Sequence, residues 1–138
     1  MLCRKTLLFT CVLTTLVGTS GTLIAQLDET VTKLFAGKLA NAPGQTMTAE
    51  VVKYPPGGKS TVHHHAGSVF AYVLTGRIRS QNSATGAVRI YKAGETFFEP
   101  AGSDHLVSEN ASVTEPASLL AIHVAKDGAV LTNPGHAK

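Results

Sequence analysis

Three histidines have the spacing expected of metal ligands. His63 and His65 are two residues apart, so on a β-strand their side chains project from the same face and His64 projects from the other. Two imidazoles on one face can bind a single ion at about 2.0–2.1 Å. A third ligand must come from elsewhere in the chain, and His105, just after the turn at 100–102, is the candidate. The alternative for the pair alone is two solvated side chains at a strand edge.

The elements that would carry these histidines are short strands. From residue 45 onward, alternating and β-rich runs are separated by glycine and proline turns, and no helical periodicity interrupts them. This pattern predicts an all-β sandwich or barrel. The predicted strands are Thr46–Tyr54, Val69–Leu74, Arg77–Gln81, Val88–Tyr91, Thr96–Phe98, Leu106–Ser108 and Leu119–Val124.

The first 25 residues have the pattern of a secretory signal peptide. Arg4 and Lys5 precede an apolar run at 7–17, and small residues follow as far as Ala25. The run is short for a membrane span, although an uncleaved anchor is the alternative. We therefore expect a periplasmic or secreted protein that begins near Gln26 and has no membrane association after cleavage.

Cleavage would change the composition. Both cysteines, Cys3 and Cys11, lie in the leader, so the mature chain would have no disulfide and no thiolate ligand. Two of the twelve basic residues are also lost, which leaves ten against nine acidic residues. Without a concentrated basic face, nucleic-acid binding is not expected. The predicted organisation is a signal peptide at 1–25, an N-terminal arm at 26–44 on the surface or against a partner subunit, a barrel at 45–125 and a loose C-terminal tail at 126–138.

Two segments resemble the signature motifs of the cupin superfamily. The first, GGKSTVHHHAGSVFAYVLTG at 57–76, contains glycine, five residues and the His-x-His pair, and ends in glycine. The second, GETFFEPAGSDH at 94–105, contains glycine, five residues, proline, one residue, glycine, two residues and His105. The resemblance implies a small bacterial single-domain cupin, with an antiparallel double-stranded β-helix, a metal at His63, His65 and His105, and a homodimer.

The sequence departs from the cupin pattern at two positions. The first motif usually supplies a glutamate where this chain has Val69, and the second usually ends in asparagine where Glu109 stands, with Asn110 next. A metal site would then have three neutral histidine ligands, as in some oxygen-using iron cupins, and the ion would keep its full double charge. Such a centre favours anionic, bidentate ligands. The alternative is a degenerate cupin that has lost its metal.

Several other residues receive weaker assignments. Glu99 and Asp104 flank the second-motif turn and would either orient a ligand histidine or only solvate the turn. His64 is expected to face solvent, His123 to lie outside the barrel and His136 to be uninvolved. Phe70, Tyr72, Phe97 and Phe98 are expected in the core or in a dimer interface rather than around a substrate.

Three functions remain open at this stage. The first is a metal-dependent, dioxygenase-like enzyme acting on a small anionic or oxygenated molecule. The second is a non-catalytic protein that binds a metal or a small molecule in the same cavity, and the third is a metal-assisted isomerase or lyase. The cofactor would be one divalent ion (Fe, Zn, Cu, Mn or Ni), because imidazole suits several of these metals. The sequence assigns no catalytic residue.

Overall fold

The computed structural model describes residues 28–136. The described chain is built of ten β-strands and contains no helix. The predicted signal peptide at 1–25 lies outside the described residues, as do 137 and 138. The strands are β1 (Thr30–Lys38), β2 (Gln45–Tyr54), β3 (His63–His65), β4 (Ser68–Thr75), β5 (Arg77–Asn82), β6 (Arg89–Lys92), β7 (Thr96–Glu99), β8 (Asp104–Asn110), β9 (Ala117–Lys126) and β10 (Thr132–Pro134).

The strands form two five-stranded antiparallel sheets. One has the order β1-β2-β9-β4-β7 and the other the order β10-β3-β8-β5-β6. Consecutive strands often lie in different sheets, since β3 and β4 separate at 66–67 and β7 and β8 separate at 100–103. This is the predicted all-β, antiparallel double-stranded β-helix. No helix in residues 28–136 is long and apolar enough to cross a membrane.

Strict alternation along the central strands places small and branched side chains between the sheets. In β4, Val69, Ala71 and Val73 are buried, whereas Phe70 and Tyr72 point outward. In β9 the odd-numbered positions from Ala117 to Ala125 are buried in the same way. The inner faces of the two sheets therefore form the core, as the period of two requires.

Glycine at two strand junctions allows the sheets to approach closely. Gly76, between β4 and β5, has a φ of +68°, and a Cβ there would lie 2.6 Å from the Pro116 carbonyl oxygen. A Cβ on Gly67, between β3 and β4, would overlap the backbone of β9. Both strand junctions of the first motif, at Gly67 and Gly76, therefore require glycine, the residue that has no side chain.

The predicted boundaries of the barrel were too narrow at both ends. Nine of the nineteen residues in the predicted arm at 26–44 form β1, which pairs with β2 except at a bulge at Leu34, and Glu29 and Val31 line the cavity. The tail at 126–138 is not a loose end, because its residues complete β9 and form β10, which pairs with β3. Neither segment has a clean hydrophobic period, because one strand lies at a sheet edge and the other has three residues.

Candidate metal centre

The three predicted histidine ligands meet inside the barrel. His63 and His65 come from β3, and His105 comes from β8, where it pairs directly with His63 across the ladder. One ligand nitrogen from each residue lies within 4.8 Å of the other two. The ring of His63 is centred 4.9 Å from that of His65 and 5.1 Å from that of His105. The strand alternation that selected these residues therefore brings them together.

Hydrogen bonds to the backbone fix which nitrogen of each β3 histidine is free. His63 donates its Nδ1 proton to the Thr61 carbonyl oxygen at 2.7 Å. His65 donates its Nδ1 proton to the Leu131 carbonyl oxygen at 3.1 Å, and Thr132 Oγ1 lies 3.3 Å from the same nitrogen. In both rings the Nε2 lone pair remains free. Ligand histidines are commonly oriented by such a bond at the other nitrogen.

Burial keeps the β3 histidines neutral. It lowers the pKa of His63, and it lowers that of His65 from 6.5 to about 4, although Glu99 opposes the second shift. Neutral imidazole is the form that binds a metal, and these rings need lose no proton at neutral pH. The donor set therefore fits a divalent transition ion, because three nitrogen donors converge with their other nitrogens satisfied.

A buried carboxylate faces the three imidazoles. Glu99, at the end of β7, is 3 % exposed, and its Oε2 lies 3.1 Å from His105 Nδ1 and 3.9 Å from His65 Nε2. Burial alone would raise the pKa of Glu99, but the hydrogen bond from His105 and the nearby imidazoles lower it below its usual value. Asn82 donates to the same oxygen at 3.4 Å. Of the two roles considered for Glu99, contact with a ligand histidine is the one present.

His123 lies inside the barrel, which corrects its expected position outside. It is 3 % exposed and lines the cavity, with its ring centred 5.0 Å from that of His65. Its Nε2 lies 3.5 Å from Glu50 Oε2, and its buried Nδ1 has no hydrogen-bond partner among residues 28–136. The missed signal was the register of β9, since His123 shares the parity of Leu119 and Ala121.

A second polar group lies on the outer face of β3. His64 does project away from His63 and His65, but it is half-buried and stacks on His136, with ring centroids 4.7 Å apart and planes inclined by 16°. His136 Nδ1 contacts Asp104 Oδ1 at 2.8 Å, so His136 has a partner and Asp104 orients no cavity histidine. One donor atom from each of His64, Asp104 and His136 lies within 4.8 Å of the other two, but the lone pairs of the stacked rings lie in nearly parallel planes and do not point to a common position. We therefore interpret this cluster as a contact that holds β10.

The cavity beside the histidines is small and mainly apolar. Its volume is about 330 Å³. Val69, Ala71, Leu119 and Ala121 form one wall, and Phe97 extends it toward His105 at 6.1 Å between ring centroids. Val69 is 1 % exposed, so the wall is apolar at the position where the first cupin motif usually has a glutamate. A few convergent polar groups in an otherwise apolar cleft are typical of a small-molecule site.

The family profile described as the cupin domain matches residues 50–123, which is more than half of the chain. The chain belongs to the cupin family. The match begins within β2 and ends at His123, so it includes both histidine motifs and Glu99. No curated protein matches the sequence significantly.

Solved structures with the same fold include proteins of several kinds. A double-stranded β-helix protein from Klebsiella pneumoniae is 19 % identical, with a TM-score of 0.61 over 80 % of this chain and 86 % of that one. The DMSP lyase DddQ from Ruegeria pomeroyi is 20 % identical, with a TM-score of 0.55 over 64 % of this chain and 42 % of that one. An oxalate decarboxylase from Bacillus subtilis is 25 % identical, with a TM-score of 0.50 over 58 % and 22 %.

Proposed function

We propose that this cupin binds one divalent metal ion through His63, His65 and His105 and acts on a small anionic or oxygenated molecule. The observation that carries the proposal is the convergence of three imidazoles in a partly open cavity, two of them neutral and held by backbone carbonyls with Nε2 free. The free Nε2 lone pairs of His63 and His65 converge with His105 as nitrogen donors of the kind that bind a divalent ion.

The chain's own residues define what the cavity accepts. A bound metal supplies Lewis acidity and open positions for oxygen donors. The wall formed by Val69, Ala71 and Leu119 excludes water and accommodates the apolar part of a small ligand. On the His65 side, His123 presents an unsatisfied Nδ1 that can hydrogen-bond a polar group of that ligand.

We propose a dioxygenase-like oxidation as the first reaction to test. Its support is the three histidines from the two motifs, which resemble the histidine ligands of oxygen-using cupins, and a cavity sized for a small bidentate ligand. A lyase reaction is the second candidate. It is favoured by the His123–Glu50 contact of 3.5 Å, because an imidazole beside a carboxylate is suited to accept and return a proton.

Oxygen uptake separates these reactions. Iron(II)-loaded protein would be incubated with a panel of β-diketones, α-hydroxy acids, catechols and thiols, and dioxygen consumption and product formation would be followed together. Uptake that depends on one compound and is lost in His105→Ala supports oxidation. Conversion without uptake, sensitive to His123→Gln, supports the lyase. Saturable binding of a compound without conversion would identify a non-catalytic binding protein.

We also propose that the protein is exported and acquires its metal outside the cytoplasm. The support is the leader pattern at 1–25, in which Arg4 and Lys5 do not form a twin-arginine pair. A chain that folds after export meets copper and zinc without cytosolic control, and both are favoured by the affinity order. An intact mass that matches a start near Gln26 would support export, whereas a species that retains Cys3 and Cys11 would identify an anchor.

A further inference from the structure

We propose that Glu99 is a fourth ligand of the metal and supplies, from the neighbouring strand, the carboxylate that Val69 lacks. This inference rests on the proposed metal site. Val69 in β4 is paired directly with Glu99 in β7. Directly opposed residues in a ladder point their side chains to the same face with Cβ atoms about 4.5–5.5 Å apart. A carboxylate at position 99 can therefore enter the same cavity wall as one at position 69.

The distances around Glu99 suit a shared ion. With bonds of about 2.0–2.2 Å, two donors on one metal lie roughly 3.0–3.4 Å apart when adjacent and at most about 4.4 Å apart when opposite. Glu99 Oε2 lies 3.1 Å from His105 Nδ1 and 3.9 Å from His65 Nε2. Both separations are within that range, and His65 Nε2 is the nitrogen left free by the backbone bond. Glu99 is not among the donors that already lie within 4.8 Å of one another, so its carboxylate would have to turn toward His63 to share the ion.

The orientation of His105 distinguishes a ligand from a carboxylate that only positions a ring. A positioning carboxylate binds the imidazole nitrogen that points away from the metal. The other ring nitrogen of His105, Nε2, lies 2.9 Å from Ser80 Oγ. Ser80 lines a separate pocket. Without metal, His105 Nδ1 donates to Glu99. With an ion bound, Ser80 can accept the proton on Nε2 instead, which would leave Nδ1 as the metal donor. Glu99 then lies beside His105 as a second donor.

A carboxylate ligand changes the charge of the centre. Three neutral imidazoles leave a divalent ion its full charge, whereas Glu99 would remove half of it and one open position. The site would then retain positions for one bidentate ligand while attracting anions less strongly than a purely histidine site. The full double charge expected from the sequence, which has Val69 in place of a carboxylate, would then not apply.

Cobalt(II) titration of three proteins tests this role. Wild type, Glu99→Gln and the control Glu109→Gln, which removes a carboxylate paired with Arg79 on β5, would be titrated with chelator competition and absorption spectroscopy. We expect Glu99→Gln to lose affinity on the order of 100-fold or more and to change its d–d spectrum, because a ligand is lost. Glu109→Gln should match wild type. A double variant, Val69→Glu with Glu99→Gln, should regain most of the affinity, because the carboxylate returns to the same cavity wall.

The outcomes are separable. If Glu99→Gln keeps the wild-type spectrum and its cobalt affinity falls by about tenfold or less, Glu99 is not a ligand and the three-histidine site stands. If wild type binds no cobalt, both this inference and the proposed function fail. If Glu99→Gln does not fold, a crystal structure of zinc-soaked wild type decides instead. A Glu99 oxygen at about 2.0–2.2 Å from zinc supports the inference, and one beyond about 3 Å overturns it.

Discussion

At the scale of single residues, the metal site depends on which histidines face the cavity. His63, His65 and His105 do so, whereas His64 stacks on His136 outside. We expect alanine at any of the first three to lower zinc affinity at least about 100-fold, since each removes a donor. His64→Ala should leave affinity within a few-fold and lower only the melting temperature. Chelator competition measures the zinc affinity of all four variants. A loss of affinity in His64→Ala equal to that in the other three would contradict the assignment of the two faces of β3.

The lowered histidine pKa values predict how stability depends on pH. The pKa of His65 falls from 6.5 to about 4 on folding, and those of His63 and His123 also fall, in each case first because of burial. The unfolded chain therefore binds more protons between these values, so the free energy of unfolding decreases as pH drops from about 6.5 toward 4. Denaturant unfolding of metal-free protein with chelator present measures this. A flat profile across that window would contradict the burial of these rings.

At the scale of elements, the C-terminal strand supports the metal site. The Leu131 carbonyl and Thr132 hydroxyl hold His65 Nδ1, and β10 covers the edge of β3. Truncation before Leu131 should lower zinc affinity by about 10–100-fold, because the orienting bond is lost. A truncation that removes only residues 137 and 138 is the control and should keep that affinity, because it leaves the contact between His136 and Asp104 in place. Equal affinity for both truncated proteins would show that β10 does not orient His65.

The strand junction at Gly76 gives a prediction with a matched control. Gly76 and Gly86 have φ values of +68° and +93°, but an added Cβ would lie 2.6 Å from a backbone oxygen at Gly76 and would meet open space at Gly86. Alanine at either should cost about 1–2 kcal/mol for the left-handed conformation. Gly76→Ala should lower the free energy of unfolding by about a further 1–3 kcal/mol, because the added Cβ is overpacked against the backbone. Denaturant unfolding midpoints measure the stability of both variants. Equal losses of stability in the two would contradict the close packing of Gly76 against Pro116.

The seven predicted strands correspond to observed ones for two reasons. Inward and outward side chains alternate along the central strands, and turn glycines and prolines separate one strand from the next. β1, β3 and β10 are not among the predicted strands, because a sheet edge and two three-residue strands leave little alternation to read. The three candidate ligands could be selected from the sequence because two of them share one strand and the third ends a spaced motif. Glu99 and His123 could be placed only once the register of β7 and β9 against β4 was known.

At the scale of the whole molecule, the outer face of the sheet that contains β4 suggests a dimer. Phe70, Tyr72 and Phe98 are 43 %, 39 % and 52 % exposed and project from adjacent strands. Contiguous exposed apolar side chains of this kind commonly mark protein interfaces. We expect the protein to be a dimer by light scattering, and Phe98→Glu to shift it to monomer while Val113→Glu, on an exposed loop residue, does not. A monomeric wild type would contradict the dimer.

The most direct test of the metal centre is the metal content of the protein isolated from its native compartment without nickel affinity purification. Elemental analysis should find about one divalent ion per chain, and a variant with alanine at His63, His65 and His105, isolated in the same way and shown to be folded, should hold none. Folded wild-type protein without stoichiometric metal, or a triple variant with as much metal as wild type, would contradict the proposed metal centre.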